Sequence, residues 1–197
     1  MPSIDMPLDM LRSYKGTNPC PEDIHEYWES ALAEIGGIDP CIKLVKSDFQ
    51  LDCAECYNLY FTGVGGARIH AKYMRPKNVA KPHPAILCFH GYHINCGDWF
   101  DKLPFVAMGY SVAALDCRGQ GGYSEDIGGV LGTTHRGHIV RGLGDSTGKL
   151  LFRQIFLDTV QLAKIIMNMP EVDPDKLATF GGSQGGALAL ACAALEP

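Results

Sequence analysis

An α/β fold, a mostly parallel sheet with helices on both faces, is what this chain predicts, and three observations carry the prediction. Continuous apolar runs at 85–89, 110–116 and 176–180 read as short strands buried on both sides. Stretches of helical periodicity at 99–108, 150–169 and 184–195 alternate with them. Strand then helix, repeated, is the rhythm of a parallel sheet whose crossovers pack on its faces. Composition agrees: 46% apolar residues in a chain of 197 can bury a real core, and the 23 glycines and 12 prolines mostly punctuate turns.

Each element has its own signal. Pro21, Glu22 and Asp23 open a helix over 21–35, with Ile24, Trp28, Ala31, Leu32 and Ile35 at helical spacing. Residues 57–61 and 67–73 alternate apolar with polar, and Gly63-Val64-Gly65-Gly66 between them makes an antiparallel hairpin at the sheet's amino-terminal edge. Pro82 and Pro84 lead into the strand at 85–89, and Gly109 separates the next helix from the strand at 110–116. The Gly-rich stretch 118–148 is long for a connection, which marks it as functional or as carrying small elements of its own. Leu151, Ile155, Val160, Ala163, Ile166 and Met167 give the helix 150–169 its apolar side, and Pro170 ends it. We expect one domain over 1–197, with 1–50 an amino-terminal helical extension and 51–197 the sheet core.

Several classes of function are disfavoured. Seventeen Lys and Arg against 22 Asp and Glu leave a net charge of −5, the wrong sign for a nucleic-acid binder. No run approaches the roughly 20 apolar residues that cross a bilayer. Met1 to Met10 shows no basic region, apolar region or small-residue cleavage site, so the cytoplasm is expected. Of the eight cysteines, Cys88, Cys117 and Cys192 sit in apolar runs as small hydrophobes. Cys53 and Cys56 form a lone Cys-x-x-Cys without the second pair that a zinc site needs, so we expect reduced thiols there. No metal or cofactor is called for.

The chemistry lies in Gly181-Gly182-Ser183-Gln184-Gly185. A Gly-x-Ser-x-Gly is common by chance, but this one follows a strand and opens a helix, the setting of a nucleophile elbow. Gly181 and Gly185 permit the close backbone approaches, and the Ser183 hydroxyl is thrust out at the carboxyl end of the sheet. Upstream, Phe89-His90-Gly91-Tyr92 follows directly on a buried strand. In the α/β-hydrolase fold this loop supplies one oxyanion-hole amide, and the residue after the nucleophile supplies the other. Here those are the N–H groups of Tyr92 and Gln184. His90 reads as a strand-end histidine bonded to backbone rather than as a catalytic base.

Three stretches together resemble the acetyl xylan esterase / cephalosporin-C deacetylase family, carbohydrate esterase family seven. They are His90-Gly91-Tyr92 with Gly97-Asp98-Trp99, then Arg118-Gly119-Gln120-Gly121, then Gly181 to Gly185. Met6-Pro7-Leu8 and Tyr27-Trp28 fit as well. The resemblance implies an α/β-hydrolase fold and deacetylation of small acetylated sugars, xylo-oligosaccharides among them, and of cephalosporin C. It implies Ser183 as nucleophile, Tyr92 and Gln184 as oxyanion donors, and a bracing role for Arg118, Gly119 and Gln120. It also implies a homo-oligomeric full-length protein, with neither nucleic acid nor membrane as partner.

One part of the machinery is not in view. In this fold the triad acid and histidine follow the serine in the chain. The 14 residues after Ser183 hold one acid, Glu196, and no histidine. We therefore expect a chain that stops short of the family's later Asp and His-x-Glu, inactive by itself for want of a base. Of the seven histidines upstream, His135 and His138 in the long loop come nearest to a substitute. The other readings are a non-catalytic protein that binds through its exposed sheet edge, and a different hydrolase such as a dienelactone hydrolase or peptidase relative.

Overall fold

In the computed structural model, which describes residues 5–128 and 138–197, the expected alternation appears as a six-stranded sheet with helices on both faces. Two helices, α1 (Leu8–Ser13) and α2 (Ile24–Gly36), precede β1 (Lys43–Lys46). The hairpin is β2 (Ala54–Thr62) and β3 (Arg68–Pro76), joined through a short 3-10 turn at Val64–Gly66. Then come β4 (His83–Phe89), α3 (Leu103–Ala107), β5 (Ser111–Leu115), α4 (Leu151–Met167), β6 (Val172–Gly181) and α5 (Gln184–Leu195). The strand order is β1-β2-β3-β5-β4-β6. β4 runs parallel to both β5 and β6, while β1, β2, β3 and β5 pair antiparallel in succession. Four of the six strands, β2, β4, β5 and β6, thus point the same way.

The expected hairpin forms, with Tyr57 opposite Tyr73 and Phe61 opposite Ile69. Two details differ from the sequence reading. The segment read as a helix over 99–108 is a 3-10 turn at Phe100–Lys102 followed by α3, which carries Pro104 in its first turn. The sheet also reaches into the expected helical extension, because β1 pairs with β2 with Lys43 opposite Tyr60. β1 escaped notice because it is four residues long and exposed throughout, so no buried face writes a pattern into it.

Burial divides the core by face. Leu59, Ile69, Leu87, Phe89, Ala113 and Leu115 on one side of the sheet pack against Leu151, Ile155 and Leu162 of α4 and Leu188 of α5. On the other side, Met74, Ile86 and Val112 meet Val106 of α3 and Trp99. α2 sits outside α4, with Ala31 and Ile35 against Leu157 and Val160. The sheet ends at β6 among the described residues, and Phe180 there is 56% exposed while Leu190 of the apolar α5 is 76% exposed. None of the described helices is long and apolar enough to cross a membrane.

Candidate active site

Ser183 stands at the N-cap of α5, directly after β6, with φ 55° and ψ −124°. A side chain rarely adopts that conformation, and it costs about 1–3 kcal/mol wherever surroundings enforce it. The surroundings are glycines. A Cβ on Gly181 would run into the backbone of Gly185, and one on Gly185 would run into the carbonyl of Phe89 at the end of β4. Only glycine at both places lets the elbow close over the parallel strands. Gly91 is less constrained: a Cβ there would lie 4.0 Å from Cβ of Ser183, in ordinary contact. That distance places the Gly91–Tyr92 turn across from the exposed serine.

The loop that begins at His90 is tied down along its length. The Cys117 N–H donates to His90 Nε2 at 3.0 Å, so the ring carries its proton on Nδ1, which donates to Gly91 O at 2.7 Å. Burial pushes this imidazole below its ordinary pKa, against the pull of the Gly91 carbonyl, and keeps it neutral. His93 N–H donates to Gln120 Oε1 at 2.9 Å, and Gly121 N–H donates to Ile94 O at 3.1 Å. Gln120 and Gln184 pair amide to amide, at 3.0 and 3.2 Å, and Gln184 Nε2 also reaches His90 O at 3.4 Å. Gln184 is thereby linked by its side chain to both flanking loops.

Arg118 anchors the second loop from below. It is completely buried, and Nε and Nη2 each donate to Asp158 of α4 at 2.7 Å. Nη1 donates to Val64 O at 3.1 Å and to Gln154 Oε1 at 2.9 Å. Gly119 follows at φ 69°, in the left-handed region that favours glycine, and turns the chain toward Gln120.

Sequence reasoning missed Asp116, at the end of β5, as a site residue. Its Oδ1 accepts from Cys96 N–H at 2.7 Å, and its Oδ2 accepts from Tyr123 N–H at 2.9 Å and meets His70 Nδ1 at 2.7 Å. Burial alone would raise its pKa, but His70 and the two amides outweigh burial and hold the carboxyl well below the usual range. A Cβ on Gly122 would run into this carboxylate. His70, Cys96 and Asp116 lie close enough to suggest metal ligands, within 4.8 Å of one another. Both carboxylate oxygens and the facing ring nitrogen are already spent on hydrogen bonds, so the cluster is a brace between loops. At Cys56, burial and the nearby Cys53 push the thiol up to about 11.

The buried histidines are committed away from Ser183. His70 faces Asp116 and Asn58, His83 pairs with Ser111 Oγ at 2.9 Å at the opposite end of the sheet, and His90 is bonded as above. Of the two suggested substitutes, His135 lies outside the described residues, as does the side chain of His138.

Comparison with known proteins matches this architecture. The profile of the acetyl xylan esterase family matches residues 1–197. Acetyl xylan esterase 1 from a Thermoanaerobacterium species is 63% identical and superposes with a TM-score of 0.92 over 98% of this chain. An acetyl xylan esterase from a Paenibacillus species is 32% identical, with a TM-score of 0.86 over 96% of the chain. An acetyl esterase of Xylanibacter ruminicola is 23% identical over 184 residues, 90% of this chain. The chain spans 61% of the length of each of the two solved relatives and 41% of the third. A serine elbow on this sheet, the braced loops around it and a profile match from end to end lead to one assignment: the chain belongs to the acetyl xylan esterase family.

Proposed function

We propose that these residues form the nucleophile and oxyanion-hole part of a serine esterase that removes acetyl groups from small acetylated carbohydrates such as xylo-oligosaccharides, and from cephalosporin C. The conformation of Ser183 carries the reading. A residue held at positive φ between a parallel strand and a helix, where glycines clear the space, is built to present its hydroxyl. Ser183 Oγ attacks the acetyl carbonyl, whose oxygen takes the negative charge of the tetrahedral intermediate. The Tyr92 and Gln184 amides donate to that oxygen, and Gly91, His90, Gln120 and Arg118 hold their loops in place. Losing one such donor typically costs about 10²–10³ in rate.

Attack also needs a base for the serine proton and an acid for the departing alcohol. No histidine follows Ser183 in the sequence, and Glu196 sits past the far end of α5, roughly 20 Å along the helix by its rise per residue. In this reading the histidine and acid come from outside these residues, and the full-length enzyme is a cytoplasmic homo-oligomer. The open β6 edge and the exposed Leu190 favour one second reading, a non-catalytic protein that binds through that edge.

Hydrolysis of 4-nitrophenyl acetate separates the two. Residues 1–197 alone are expected to show negligible turnover. A fusion to the carboxyl-terminal part of the Thermoanaerobacterium relative is expected to turn over, and Ser183→Ala in that fusion to abolish the activity. Serine-dependent turnover by 1–197 alone would reveal a base among its own histidines. A well-folded fusion without activity would refute the esterase reading.

A further inference from the structure

Between the loops that follow β4 and β5 lies a polar cleft of 340 Å³, walled by Lys72, Asn95, Asp98, Gly121, Gly122 and Tyr123. Small-molecule sites range over roughly 300–1,000 Å³, so one or two sugar rings are of the right scale. We propose that this cleft is a carbohydrate subsite that takes a neutral pyranose ring of the chain bearing the acetyl group. The proposal rests on the carbohydrate-esterase reading above and adds the place where the sugar is held.

Location is the first argument. The cleft shares a wall with the oxyanion loop: Gly121 N–H donates to Ile94 O, and Asn95 Nδ2 donates to Gly121 O at 3.4 Å. One turn further back, His93 is bonded to Gln120, which holds Gln184. A ligand here therefore lies against the same two loops that flank Ser183.

Chemistry is the second. Tyr123 is 68% exposed, yet its ring is not loose. It packs T-shaped with His70, centroids 5.2 Å apart, and its own N–H is fixed to Asp116. A fixed, open aromatic face suits the C–H face of a pyranose. Around it are donors and acceptors that the fold has already oriented. Lys72 Nζ donates to Gly97 O and lies 5.2 Å from the Trp99 ring centre, which leaves N–H groups to spare. Asp98 uses Oδ1 to accept from Phe100 N–H, and Asn95 uses Oδ1 to accept from Gly97 N–H. The second carboxylate oxygen of Asp98 and the second N–H of Asn95 Nδ2 remain to meet hydroxyls. An anion is disfavoured by Asp98 and Asp116, and the Lys72 ammonium already supplies the positive charge. A neutral polyol fits this set best.

The test uses the full-length protein that carries this chain, with xylotriose as the probe and saturation-transfer NMR as the readout. Xylotriose without acetyl groups is expected to bind, and Tyr123→Ala and Asn95→Ala are each expected to weaken it about tenfold. Tyr123→Phe, which keeps the ring, is expected to retain binding, and it guards against an alanine variant that misfolds. In kinetics, Tyr123→Ala is expected to lower the ratio of kcat/KM on acetylated xylotriose to that on 4-nitrophenyl acetate, again about tenfold. Binding and ratio both within twofold of wild type in folded Tyr123→Ala and Asn95→Ala would overturn the subsite, even if the protein is an esterase. Tyr123-dependent binding by a protein that cleaves neither ester would uphold the subsite and refute the esterase reading instead.

Discussion

Replacing Arg118 by methionine should be among the most damaging single changes to this fold, and the structure says by how much. The guanidinium is fully buried and spends three nitrogens on two carboxylate oxygens, a carbonyl and a side-chain amide. Methionine fills most of the volume, so the loss is mainly electrostatic. It leaves the Asp158 carboxylate buried without its partner, a change that costs about 3–5 kcal/mol when one half of a buried pair is removed. With a urea m-value of about 2 kcal/mol/M, the midpoint should fall by about 1.5–2.5 M. Unfolding can be followed through Trp28 and Trp99, both of which pack against the core. Adding Asp158→Leu removes the orphaned charge and should recover at least about 2 kcal/mol. The double variant should still fall short of wild type, because Val64 O and Gln154 Oε1 each lose a bond worth about 1 kcal/mol. A single-variant loss below about 1 kcal/mol would refute this reasoning. So would a double variant no more stable than Arg118→Met.

Two further outcomes follow from other parts of the site. Ser183→Gly should melt about 2–4 °C above Ser183→Ala, because glycine relieves the positive φ that alanine, like serine, must endure; a glycine variant no more stable than the alanine one would mean that the elbow stores no strain. Asp116 has a depressed pKa in the fold, so its contribution is present above the ordinary aspartate value near 4 and is lost as pH falls through the lower folded value. Asp116→Asn should therefore be clearly less stable than wild type at about pH 7, and the gap should narrow below about pH 4; equilibrium unfolding at both pH values that gives a constant gap would contradict the assignment.

The strands and long helices were legible because burial writes a period into the sequence. Ala85 to Phe89 could hardly be anything but a buried strand, and Leu151, Ile155 and Leu162 mark the inner side of α4. The elbow was legible for a different reason: Gly181 and Gly185 answer a steric demand that no other residue meets. Elements that bury nothing left no such trace. α1 has no buried residue and β1 is exposed along its length, and neither was foreseen.

Polar partnerships were the hardest to read, because periodicity reports that a position is buried but not what it meets there. His70 alternates with Arg68 and Lys72 on β3, a run of polar side chains that gives no sign of burial, yet it is fully buried with Ser124 and Asp116 against it. Its partner is 46 residues away, and no local pattern links the two. Asp158 is the instructive exception. It falls one helical turn from Ile155 and Leu162, on the side of α4 that faces the core, where an isolated carboxylate would be untenable. An acid at such a position requires a buried cation elsewhere in the chain. A lysine could supply the charge, but two parallel bonds to one carboxylate need the planar fork of an arginine. Arg118 follows immediately on the buried run that ends at Cys117, so its side chain starts from inside the protein. The bracing role assigned to the Arg-Gly-Gln motif by resemblance can thus be reached from α4 alone, by asking what its one buried acid must touch.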